Sequence, residues 1–130
     1  MLDPIVDFLN RIRNAQMAQK SVLYIPFSNL KYEIASLLER ENFIDKVERR
    51  ERKGKKFIKI YLKYTENKQP AISGLRRISK QGQRIYAGYD EISKYKKGYG
   101  IVVLTTSKGI LTDKEARKEK VGGELICEVW

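Results

Sequence analysis

The stretch Ile101-Val102-Val103-Leu104-Thr105-Thr106-Ser107-Lys108-Gly109 passes from four apolar residues, three of them β-branched, into three hydroxyls, a lysine and a glycine. It reads as a core strand ending in a loop of short donors and acceptors with little bulk to block a close partner. Thr112-Asp113-Lys114-Glu115 follows, and a hydroxyl three residues before a carboxylate is a capping box. The spacing therefore predicts a helix of about two turns reaching Lys120, stopped by Gly122. From Leu125 to Trp130, the apolar set Leu125, Cys127 and Val129 alternates with Ile126, Glu128 and Trp130, so a core strand closes the segment. The hydroxyl loop Thr105 to Gly109 and the turn Gly122-Gly123-Glu124 thus sit at opposite ends of one short helix and are expected to open on one side.

Upstream, Ala71 to Ser79 reads as a strand, Lys80-Gln81-Gly82 as a turn, and Gln83 to Ala87 as a return strand carrying Arg84 and Tyr86. Glu91-Ile92 suggests a further edge, followed by a Lys-, Tyr- and Gly-rich loop from Lys94 to Gly100. The polar, aperiodic run Thr65 to Pro70 is the best boundary in the chain. Before it, Asp3 caps a helix with Pro4 at its first position and Ile5, Phe8, Leu9, Ile12, Ala15 and Gln19 at helical spacing, ending near Gln19. Ser21 to Phe27 reads as a strand with Pro26 at its end or on an edge. Ser28 caps a second helix striped by Leu30, Ile34, Ala35, Leu37 and Leu38, with Asn42 at its left-handed end. Phe43 to Glu51 and Lys56 to Tyr64 form a hairpin with the basic tip Arg52-Lys53-Gly54-Lys55, and Ile58, Ile60, Leu62 and Tyr64 share one face. The reading is an α+β protein of two lobes: residues 1–64, α-β-α-β-β; a linker, 65–70; and residues 71–130, mainly β with one short helix.

Across 130 residues, 27 Lys and Arg oppose 16 Asp and Glu, a net charge of +11, and the isoelectric point is near 9.8. Residues 1–64 carry +6 and residues 65–130 carry +5, so the charge belongs to the body and not to a tail. That is the electrostatic footprint of a protein with a polyanionic partner. There is no histidine, and Cys127 is the single cysteine. Disulfides, Cys/His zinc sites and histidine-based catalysis are thereby excluded, and neither a cofactor nor a metal is expected. The N-terminus lacks the pattern of a signal peptide, and no apolar run approaches a membrane span, so a soluble cytoplasmic protein is expected.

Gly98-Tyr99-Gly100 precedes a strand instead of opening a helix, and Ser107-Lys108-Gly109 lacks the upstream glycines of a phosphate loop. Ser107 beside Lys108 does not have the Ser-x-x-Lys spacing of a nucleophile and base, which makes hydrolysis a poor fit. Thr105-Thr106-Ser107 could be only a strand end with turn chemistry. Tyr86 could be a core aromatic, and Asn14 part of a solvated helix face. What favours recognition is context: the loop carries Lys108, the Gly-Gly-Glu turn returns beside it, and Lys80, Gly82 and Arg84 surround Tyr86. A non-specific DNA-binding module and a Ser/Lys esterase are the rival readings.

Asp3-Pro4-Ile5, Arg11-Ile12-Arg13-Asn14, Leu62-Lys63-Tyr64, Arg76-Arg77-Ile78-Ser79-Lys80, Arg84-Ile85-Tyr86, Thr106-Ser107-Lys108-Gly109, Thr112 to Arg117 and Gly122-Gly123-Glu124 occur in an order that resembles bacterial ribosomal protein eight of the small subunit. The likeness spans essentially the whole chain. Thr105 stands where serine is usual, Gln81 where proline is, Asn42 where glycine is, and Tyr99 where leucine is. The resemblance implies a non-enzymatic, primary ribosomal RNA-binding protein that binds the central domain of small-subunit ribosomal RNA and helps assemble the platform. It implies ribosomal proteins five and twelve as neighbours, and repression of its own messenger RNA in many members; the free protein is expected to be a monomer. The RNA surface it implies comprises Thr105, Thr106, Ser107, Lys108, Gly109, Gly122, Gly123, Glu124 and Tyr86. Arg84, Lys80, Asn14, Lys31 and Lys56 are the further candidates, with Lys31, Lys56, Arg84 and Lys108 expected on phosphates.

Overall fold

The computed structural model describes residues 4–130, so the expected Asp3 cap lies outside the described residues. The chain divides into two compact units, Met1–Ile72 and Ser73–Trp130. It is a mixed α+β protein whose helices α1 (Pro4–Met17) and α2 (Asn29–Arg40) belong to the first unit, while α3 (Asp113–Glu119) is the short helix of the second.

In the first unit, strands β1 (Val22–Pro26), β2 (Ile44–Arg52) and β3 (Lys55–Leu62) form an antiparallel sheet in the order β1-β3-β2. Pro26, which has no amide hydrogen to give, lies on an edge strand. α1 stops at Met17, short of Gln19, whose φ of 55° is left-handed. Ser28 caps α2 by accepting from the Lys31 amide at 3.2 Å, and Asn42 takes the left-handed φ of 66° beyond its end. Lys53 and Gly54, with φ of 52° and 78°, make the two-residue primed turn that matches strand twist between β2 and β3. Ile5, Phe8, Leu9 and Ile12 of α1, Ile34, Leu37 and Leu38 of α2, and Ile25, Ile58, Ile60 and Leu62 of the sheet are buried. Residues 65–70 do not drift away from this sheet. Thr65 and Gln69 hydrogen-bond across a tight turn, Tyr64 bridges to Pro70, and the Ala71 amide donates to the Lys63 carbonyl.

The second unit is built around β8 (Gly123–Val129) and β6 (Ile101–Thr106), antiparallel neighbours flanked in the sheet by β4 (Leu75–Arg77) beside β8 and β7 (Gly109–Thr112) beside β6. β4 (Leu75–Arg77) pairs with the end of β8, and β5 (Tyr86–Ala87) pairs with its beginning. The return strand expected at 83–87 therefore does not fold back on 71–79. Both segments run the same way along one edge of β8, interrupted by the Lys80–Gln83 turn. Ser79 closes that interruption: its hydroxyl accepts from the Ile85 amide at 2.9 Å and donates to the Ile85 carbonyl at 3.2 Å. The Glu91-Ile92 edge is instead the start of a 3-10 helix, Ile92–Tyr95. A strand absent from the sequence reading, β7 (Gly109–Thr112), pairs back on β6, so Thr105 to Gly109 is a strand end and hairpin, not a loop running directly into a helix.

Two buried carboxylates tie this unit together. Glu128 accepts from the Arg76 guanidinium at 2.8 and 3.2 Å and from the amides of Lys97 and Gly98 at 3.0 and 2.8 Å. Burial alone would raise its pKa, but the Arg76, Gly98 and Lys97 hydrogen bonds together hold it below the ordinary carboxylate value. Asp113 accepts from the Val102 amide and the Lys96 ammonium, both at 3.2 Å, anchoring the start of α3 to β6. Cys127 is fully buried, and burial pushes its thiol up to about 12, so it is inert at neutral pH.

Candidate nucleic-acid interface

Strand alternation decides what the rim of the second unit presents. The register sets Tyr86 opposite Glu124, Glu124 opposite Thr105, and Thr105 opposite Ile110, one row across four strands and therefore on one face. The next pair inward, Leu104 and Leu125, points to the core, where Val102, Ala116 and Ile92 pack. Tyr86 is 66% exposed, which excludes the core role. The Arg84 guanidinium donates to the Glu124 carboxylate at 3.0 Å, and among the described residues this is the side-chain hydrogen bond Glu124 accepts.

The three consecutive hydroxyls consequently do different things. Thr105 lies in the open row. Thr106 points the other way, and its hydroxyl accepts from the Lys108 amide at 3.0 Å and donates to the Gly109 carbonyl at 2.8 Å, shaping the turn. Ser107 and Lys108 form the exposed tip, and Gly109 closes the hairpin with a φ of 99°. Lys108 reaches the Glu119 carboxylate at 3.0 Å, which links the hairpin tip to the end of α3. Glu119 and Ile110 were missed in the sequence; the signal for Ile110 was the β-branched, apolar run Ile110-Leu111-Thr112 just after a glycine.

Gly122 and Gly123 are required by close approach, since neither has a positive φ. A Cβ on Gly122 would overlap the Ala87 carbonyl, and one on Gly123 the Thr105 carbonyl. The glycines thus seat the start of β8 between β5 and β6, which puts Glu124 beside Tyr86 and Thr105. α3 holds the opposite end through the expected capping box: Thr112 Oγ1 accepts from the Glu115 amide at 3.2 Å, and Glu115 accepts from the Thr112 amide at 2.9 Å. Lys80 and Gly82 lie exposed in the turn that interrupts the β8 edge.

The remaining candidates belong to the first unit. Asn14 is exposed on α1, Lys31 is half-buried in the first turn of α2, and Lys56 is exposed near the start of β3. Lys56 borders a recess of about 260 Å³ lined also by Phe27, Arg49, Arg50 and Glu51. Arg49 there lies 4.6 Å from the Phe27 ring centre and 5.4 Å from that of Tyr32.

Hydroxyls, an exposed ring and an arginine-held carboxylate on a rigid sheet edge can hydrogen-bond and stack. Among the described residues, no group of His, Cys, Asp or Glu is placed to hold a metal, and no helix is long and apolar enough to cross a membrane. The fold and this edge define a class, a basic α+β protein equipped for recognition. The ribosomal protein S8 family matches residues 3–130, and the chain belongs to it. Similar chains include the small ribosomal subunit protein uS8 of Persephonella marina, 53% identical with 98% of each chain covered. That of Halothermothrix orenii is 52% identical over 98% of this chain and 97% of its own, and that of Streptococcus sanguinis is 50% identical over 100% and 98%. Family membership makes the protein a structural constituent of the ribosome and not an enzyme.

Proposed function

We propose that the protein works in the cytoplasm as a small-subunit ribosomal protein that binds the central domain of small-subunit ribosomal RNA through the Tyr86–Glu124–Thr105 row and the Ser107 tip, and so helps form the platform. The A-form major groove is too narrow for side chains, so the target is an irregular helix with accessible base edges and sugars. Thr105, Ser107 and Glu124 read those groups, Tyr86 packs on a sugar or base, and Thr106, Gly109, Gly122 and Gly123 hold the frame. Lys31, Lys56, Lys80, Lys108 and Asn14 contact the backbone, which positions without reading sequence. Ribosomal proteins five and twelve are its neighbours, and the same surface serves for repression of its own messenger RNA, both on the strength of the family resemblance.

The observation that carries this reading is the placement of Glu124. An acidic group at a polyanion interface is repelled unless it accepts from base amino or imino groups, and Arg84 holds one of its oxygens in place for that task. Glu124→Gln and Ser107→Ala are each expected to weaken binding to a central-domain fragment by roughly 1–3 kcal/mol, with binding to unrelated RNA unchanged or slightly tighter. Affinities at one fixed salt concentration, with circular dichroism to verify the fold, measure this. Tighter binding of the fragment by Glu124→Gln would make Glu124 an ordinary exposed charge and overturn the reading.

A further inference from the structure

The sheet of the first unit buries one face and leaves the other open. Alternation along β3 puts Lys55, Phe57, Lys59 and Tyr61 on the open face, opposite the buried Ile58, Ile60 and Leu62. The register extends each into a row: Tyr61 between Val22 and Lys46, Lys59 between Tyr24 and Glu48, Phe57 between Pro26 and Arg50, and Lys55 beside Arg52. Tyr24 is 56% exposed and meets Phe57 edge-to-face with ring centres 5.7 Å apart. A shallow cavity of about 300 Å³ opens there, lined by these two rings, Pro26 and Lys55 among others. The Lys59 ammonium lies 4.8 Å from the Tyr61 ring centre and 5.8 Å from that of Tyr24.

Within these paired rows five cations, Lys46, Arg50, Arg52, Lys55 and Lys59, stand against one carboxylate, that of Glu48. Glu48 is engaged within the face, accepting from the Tyr61 hydroxyl at 2.7 Å and from Arg50 at 2.9 Å. The Tyr61 hydrogen bond, followed by that from Arg50, holds its carboxyl down at about 2, so it stays ionised and orders its neighbours at any physiological pH.

We propose that this open sheet face is a second RNA surface, one that takes an unstacked single-stranded segment with a base against Tyr24 and Phe57 and its phosphates among the surrounding cations. Charge complementarity requires an anionic occupant, and an exposed tyrosine ring bordered by cations, with a half-buried phenylalanine ring against it, is the equipment of a stacking platform. A duplex offers its phosphates but keeps its base faces stacked inside, and an acidic peptide offers charge without flat faces. This surface lies in the first unit and goes beyond the proposed Glu124 site.

The test uses the full chain with a short fluorescent oligouridylate, which has no secondary structure. Binding is expected, with ultraviolet cross-links in the peptides holding Tyr24, Phe57 or Tyr61. Tyr24→Ala should weaken it about tenfold, as for loss of one stacked base, while Tyr24→Trp should preserve it. Affinity of Glu124→Gln for the central-domain fragment and affinity of Tyr24→Ala for oligouridylate are separate readouts, so the two surfaces can fail separately. Affinity unaltered by Tyr24→Ala, cross-links confined to the second unit, or displacement by polyglutamate but not by oligouridylate would each overturn the proposal.

Discussion

Glycine serves two different physical ends in the second unit, and substitution separates them. Gly109 has a φ of 99° with open space where a Cβ would go, so Gly109→Ala meets only backbone strain, about 1 kcal/mol or somewhat more. Gly123 has no such φ, but its Cβ would meet the Thr105 carbonyl, so Gly123→Ala must push β8 away from β6. Overpacking of that kind costs roughly 1–3 kcal/mol or more. Urea unfolding should therefore rank Gly123→Ala as the more damaging, and the same variant should lose affinity for the central-domain fragment because Glu124 moves with it. Equal losses for the two variants would show that the close approach is relaxed at little cost.

The hairpin of β6 and β7 and the short α3 work as a linked pair of elements. Thr112 ends the strand and caps the helix, and Asp113 fastens the helix start to β6. A helix of this length has little stability of its own, so these local ties and the burial of Ala116 determine its position. Thr112→Ala should cost about 0.5–2 kcal/mol of folding stability, the range for losing a side-chain cap. It should also weaken binding to the fragment, because α3 joins the hairpin to the Gly122-Gly123-Glu124 turn. Thr112→Ser, which keeps the hydroxyl, should recover most of both losses; chemical denaturation and affinity measured on one preparation test the pair.

A net charge of +11, divided between the two halves of the sequence, would make the proposed RNA binding strongly electrostatic. Neutralised phosphates release counterions, so log affinity should fall by about 0.7–0.9 per phosphate contact for each tenfold rise in salt. Lys56→Ala should reduce that slope by about one contact, equally on the cognate fragment and on unrelated RNA. A titration series in potassium chloride tests this, and a change in discrimination between the RNAs would reassign Lys56 to reading bases.

Local chemistry was enough for much of this protein. The Ser28 and Thr112 caps, the left-handed Asn42, the hairpin with Lys53-Gly54 at its tip and the mixed α+β class all follow from side chains acting within a few residues of themselves. The hydroxyl cluster and the Gly-Gly-Glu turn were equally legible as features, because their composition is unusual for a plain strand end. What each residue does depended on partners distant in sequence. Alternation sent Thr106 into its own turn while Thr105 stayed open, and pairing with β8 drew 75–79 and 86–87 into one interrupted edge instead of a hairpin. The Arg84–Glu124 and Lys108–Glu119 pairs likewise required the fold, as did the open face around Tyr24. Periodicity gives the face a residue shares with its neighbours in the chain, but strand order and register, set by burial of the whole sheet, choose what stands beside it.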